Sequence, residues 1–291
     1  MHRFLRSIGF SSVRTKQQLN DLKSWVLADP DRLSVVGLPD DGNVAMAERE
    51  IAGHAGIAVV GEMDERGELQ PEYYFPYIST THISSDARLT CEKQSQRNGF
   101  IGMCEDYRMG MALIFTVRNV AEVFKLEQTG LLGDGYKKVC FSALLEDAEV
   151  LLPLYQPEMA LKHVNDEDAR RQRLVDDANN GSERAMEELA NRDVKILENM
   201  LSMLRKSDVY TLIESFFMPH GMESDQYYFL GRIAALQHVR NEYTGEFFYR
   251  MLVETNRMVL VAAVNDRDLL GVPEVGRRIR CRGWLLGELK K

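Results

Sequence analysis

Arg278, Arg280, Arg282 and Trp284 alternate along one run of the sequence, and that spacing carries a chemical meaning. In an extended strand successive side chains point to opposite faces. With Ile279, Cys281 and Leu285 turned inward, three guanidinium groups and one indole share the outer face. Arginine pairs bidentately with phosphate and tryptophan stacks on a base, so the row is an expected binding face for an anionic or nucleic-acid partner. The plain alternative is a charged face that keeps an edge strand soluble, or one that salt-bridges to acidic parts of the same chain.

Two other groupings have the residue types of acid-base or nucleophilic chemistry. His220, Glu223 and Asp225 share one short loop, where an imidazole beside carboxylates could act as a general base. His82 lies among Thr80, Thr81, Ser84, Ser85 and Asp86, which suffices for nucleophilic catalysis only if the imidazole meets a hydroxyl and a carboxylate in space. Both groupings also read as polar loops with local hydrogen bonds from side chain to backbone. The six histidines include no pair at i, i+3 or i+4, and the four cysteines include no C-x-x-C pair, so neither a metal site nor a disulfide framework is expected. No phosphate loop, nucleophile elbow or zinc-protease signature occurs. Gly130, Gly133 and Gly135 follow a helical pattern rather than a strand. No cofactor is expected.

The elements that would position these residues read as follows. Thr15 to Ala28 has helical spacing and opens on a Thr15/Gln18 capping box. Ile57 to Met63 and Leu69 to Tyr77 form a hairpin across the turn 64–67. Phe100 to Glu105, Met109 to Arg118 and Lys138 to Leu145 read as strands, and Asn119 to Gln128 as a short helix stopped by Gly130. Asn165 to Arg205 is charged and lacks alternation, so it reads as helical, broken at Gly181 and recapped by Ser182. Met186, Ala190, Val194, Leu197, Leu201 and Leu204 mark its apolar face, for the core or for a homo-oligomer contact.

After Asp208 the period becomes two. Val209 to Phe217, Tyr227 to Val239, Glu246 to Glu254, Met258 to Val264 and Arg278 to Leu286 read as five strands, with Gly231 at a bend. The expected architecture is therefore α+β. A mixed α+β domain spans 1–155, a helical connection 156–206, and a small five-stranded β-barrel of OB or SH3-like type 207–291. A chain of 291 residues that is 45% hydrophobic and 27% charged can build such cores without staples. Its formal net charge of -8 weakens long-range attraction to nucleic acid or anionic lipid. No apolar run approaches the roughly 20 residues of a membrane span, and no signal-peptide pattern is present; a cytoplasmic location is expected.

Three segments carry a resemblance: His2-Arg3-Phe4-Leu5-Arg6-Ser7-Ile8-Gly9-Phe10; Ser215-Phe216-Phe217-Met218-Pro219-His220-Gly221 with Asp225-Gln226-Tyr227; and Asp268-Leu269-Leu270-Gly271 with Gly283-Trp284-Leu285. Together they resemble an uncharacterised bacterial family, domain of unknown function 3881, found largely in anaerobic Firmicutes. The resemblance spans almost the full length and implies no activity, cofactor or site residues. The functional expectation is thus a non-catalytic binding or adaptor module that meets a protein or nucleic-acid partner at the C-terminal barrel. The competing expectation is an enzyme whose site forms between domains around a His/carboxylate pair.

Overall fold

The computed structural model describes residues 2–38, 42–95, 97–130, 138–151, 172–179, 181–191, 213–221 and 225–291. The class is mixed α+β, with a closed five-stranded barrel in the C-terminal part. Four strands, β1 (Arg32–Gly37), β2 (Asn43–Ala52), β3 (Ala55–Met63) and β4 (Leu69–Ile78), form an antiparallel meander. The hairpin expected between Ile57 and Tyr77 is its second half, turning where Gly67 takes φ 78°. Helix α1 (Lys16–Ala28) opens on the expected capping box and buries Leu22 and Val26 against β2 and β3.

The second sheet starts with β5 (Arg88–Lys93), β6 (Phe100–Asp106) and β7 (Met111–Val117). Helix α2 (Val120–Gln128) follows, and Gly130 leaves it at φ 70°. Next comes the long strand β8 (Lys138–Val150). Short β9 (Phe216–Pro219) precedes β10 (Gln226–Arg240), β11 (Phe247–Thr255), β12 (Met258–Asn265), the two-residue β13 (Leu269–Leu270) and β14 (Arg278–Lys290).

Strands β10, β11, β12 and β14 stand where the period-two pattern places them. The fifth barrel strand is β8, which pairs in parallel with β12 and antiparallel with β14 over its whole length. The barrel therefore takes one strand from ahead of the expected boundary at 155. The first four residues of the expected strand Val209 to Phe217 lie outside the described residues, and its end contributes to β9, paired with β10 beside β11. A side chain at Gly231 would put its Cβ 2.4 Å from the Glu254 carbonyl oxygen. Only glycine lets β10 pass that close to β11.

The expected helical connection is described over 172–179 and 183–191, both helical. Gly181 breaks them at φ 88°, and Ser182 Oγ accepts from the Ala185 amide at 3.4 Å. The buried face is Ala185 and Leu189, with Met186 half-buried; Ala190, expected on that face, is exposed because the stripe is rotated by one residue. Val194, Leu197, Leu201 and Leu204 lie outside the described residues, as do Gly133 and Gly135. Among the described residues no helix is long and apolar enough to cross a membrane.

One hydrophobic cluster runs through both sheets. Buried within it, Arg118 pairs with Glu48 of β2 at 2.6 Å and with Glu288 of β14 at 3.0 Å, and lies over the Tyr77 ring. Two carboxylates from different sheets share one guanidinium, which ties the meander to the barrel.

Candidate binding site on the C-terminal barrel

The arginine row on β14 is not an edge: β10 flanks it on one side and β8 on the other. Its register with β8 sets Arg280 opposite Glu149 and Arg282 opposite Asp147. Arg280 pairs with Glu149 at 2.5 Å, while Arg282 pairs with Asp147 at 2.6 Å and with Glu146 at 3.4 Å. Arg278 is buried and donates to the Ile213 carbonyl at 3.0 Å, and burial lowers its pKa. Each guanidinium thus answers groups of its own chain. Directly opposed opposite charges are the sheet's usual cross-strand pair.

Trp284 shares the face of Arg280 and Arg282, as alternation requires, yet it is only 5% exposed. The N-terminal segment lies across it. His2 and Phe4 approach the indole with ring centroids at 4.7 and 5.6 Å, and Nε1 donates to Asp225 at 2.5 Å. Residues Arg3–Ile8 form a 3-10 turn that buries Phe4, Leu5 and Ile8. Arg6 forks onto Asp268, with Nη2 at 2.6 Å from Oδ1. Gly9 then turns the chain at φ 83°, where a Cβ would meet Asn241 at 3.0 Å. Arg3 reaches Gln226 as well. The three segments that carry the family resemblance therefore meet at one place and hold each other by specific contacts.

His2 lies within this junction. Burial, reinforced by the positive charge of Arg97, pushes its pKa down to about 4, so the imidazole is neutral near pH 7. A cleft alongside is lined by Tyr73, Gln94, Arg97, Phe100, Thr116 and Trp284 and holds little more than one water-sized group.

Among the described residues, neither histidine grouping joins its imidazole to a carboxylate by a hydrogen bond or ion pair. His82 is exposed, and its backbone amide donates to Thr80 Oγ1 at 3.1 Å. Ser84 and Ser85 are buried: Ser84 Oγ donates to the Val259 carbonyl at 2.6 Å, and Ser85 Oγ to Asp106 at 2.5 Å. His220 is exposed with its ring edge-on to Tyr228 at 4.8 Å. Asp225 accepts from Thr116 and Trp284. Glu223 lies outside the described residues. Among the described residues neither His82 nor His220 forms an ion pair, and no group of three or more His, Cys, Asp or Glu is placed to hold a metal ion.

The residues that sequence reasoning missed lie on the β10–β11 hairpin. Strand β14 accompanies β10 only from Gln226 to Arg232, and the turn before β14 adds bonds at Ile233. From Ala235 to Arg240 the ladder partner of β10 among the described residues is β11 alone. This stretch is largely solvent-exposed. Beside it three rings stack: His238 lies 4.5 Å from Tyr249, its direct cross-strand neighbour, and 4.9 Å from Phe247. Asp266 closes one side, 3.5 Å from His238 Nε2; burial first, and then the negative charge of Asp266, hold the Tyr249 phenol above its ordinary pKa. Phe247 is 43% exposed, whereas Phe248 on the opposite face is fully buried. The sequence signal for this shelf is the alternation of Phe247, Tyr249, Met251 and Val253, which marks a common face without saying where along it burial stops.

No curated protein and no solved structure matches the chain. A family model described as "Domain of unknown function, E. rectale Gene description" matches residues 5–287, which include nearly all of the three segments joined at Trp284. The chain belongs to that family.

Proposed function

We propose that this protein is a non-catalytic binding or adaptor module whose C-terminal barrel takes up a segment of a partner protein along the open stretch of β10. The observation that carries this reading is the six-residue run Ala235 to Arg240, paired on one side only among the described residues and bordered by exposed aromatic rings. An unpaired strand edge presents a row of backbone donors and acceptors, and an extended segment that adds to it satisfies them in one step. A protein partner suits the barrel better than a nucleic acid, because the arginines of β14 face carboxylates on β8 and the chain is acidic. The engagement of Asp225 by Thr116 and Trp284, with the His220 ring against Tyr228, favours binding over catalysis.

Hydrogen exchange on the intact protein tests the reading. Peptides selected from a library of random seven-residue sequences should slow exchange within 234–240 and be released chemically unchanged. Turnover that depends on His82 or His220, or protection confined to other strands, would overturn it.

A further inference from the structure

The shelf beside the open edge has a chemistry of its own. Aromatic faces carry negative charge density, and a cation within about 6 Å of a ring centroid is attracted to it. His238, Phe247 and Tyr249 present such faces at the barrel surface, and Asp266 adds a full negative charge at their side. Among the described residues no Lys or Arg lies over any of the three rings. Leu236, His238 and Arg240 are opposed by Met251, Tyr249 and Phe247, so they share the shelf's face. A strand added beside β10 would project every second side chain onto the same face, with the residue opposite His238 roughly 5 Å away. A lysine or arginine there reaches both the rings and Asp266. The formal net charge of -8 favours approach of a basic segment over an acidic one.

We infer that the partner segment is basic, and that the shelf of His238, Phe247, Tyr249 and Asp266 reads one lysine or arginine side chain of an extended strand laid along β10. This rests on the strand-addition reading and supplies its specificity: the backbone edge gives affinity, the shelf selects the side chain.

The test uses the full chain and three fluorescein-labelled peptides, Thr-Val-Thr-Xaa-Thr-Val-Thr with Lys, Leu or Glu at the centre, followed by anisotropy and by exchange at 234–240. The Lys peptide is expected to bind about tenfold more tightly than the Leu peptide, and the Glu peptide most weakly. Phe247→Ala and Asp266→Asn should each erase most of the Lys preference, read as the ratio of the Lys-peptide to the Leu-peptide affinity. Both positions are exposed, and an unchanged thermal transition confirms that each variant is folded. Equal binding of Lys and Leu peptides with protection of 234–240 would overturn the cation-reading shelf and leave strand addition standing. Failure of all three peptides to bind would overturn both.

Discussion

The arginine row of β14 and the aromatic shelf of the β10–β11 hairpin are two faces of one barrel, and they differ in what their own chain has already provided. Arg280 and Arg282 look across to Glu149, Asp147 and Glu146 on a strand that pairs with β14 throughout. His238, Phe247 and Tyr249 border a stretch of β10 whose ladder partner among the described residues is β11 alone. Charge on a fully paired strand is answered locally; polar backbone on a half-paired strand is answered by solvent. A surface rich in binding residue types is therefore a weaker candidate than a surface with unmet partners.

The largest expected effects test where burial ends on the hairpin. Phe248→Ala should destabilise the protein by about 3–5 kcal/mol in urea titration, through lost transfer energy and a cavity. Phe247→Ala, one residue away, should change stability by less than about 1 kcal/mol. Comparable losses would mean that the shelf is core and not a surface. A second large effect belongs to Arg118: replacement by Ala leaves the buried carboxylates of Glu48 and Glu288 with only Arg32 and Lys290 as cationic partners among the described residues and should cost about 3 kcal/mol.

A smaller effect is expected at the Trp284 junction. The His2 pKa is near 4 in the folded protein against an ordinary 6.5. The unfolded chain therefore binds the proton first as pH falls, and stability from this group is present above about pH 6.5 and lost progressively toward pH 4. That loss amounts to about 3 kcal/mol, and His2→Phe should flatten the corresponding part of the stability profile. The same slope in both proteins would assign it to other groups. The smallest effects belong to the arginine row itself. Arg280→Ala and Arg282→Ala should each cost less than about 1 kcal/mol, shrinking further in high salt, as partly exposed pairs do.

How much of this was legible follows from the range of each interaction. The strands of the C-terminal meander were readable because alternation is local, and so was the Thr15/Gln18 cap. That Arg280, Arg282 and Trp284 share a face was readable for the same reason. Their neutralisation was not, since Glu146, Asp147 and Glu149 lie far back in the chain and only the β8–β14 register brings them opposite. Nor was the burial of Trp284, which depends on His2 and Phe4 arriving from the other end of the sequence. Strand β8 was recognised as a strand but not as part of the barrel, because a parallel pairing with β12 has no turn to announce it. The shelf escaped notice because its meaning lies in where β14 stops, a boundary in space rather than in the pattern of residues.

Closure of the barrel through β8 also bears on how the chain reaches its fold. β8 leaves the ribosome long before β12 and β14, so both of its edges stay open while the intervening residues are synthesised. Loop closure on that scale must precede the contacts that reward it, which slows folding and lengthens the life of aggregation-prone intermediates. Refolding from denaturant should accordingly be slow and sensitive to protein concentration, with the barrel strands acquiring protection together rather than in order of synthesis.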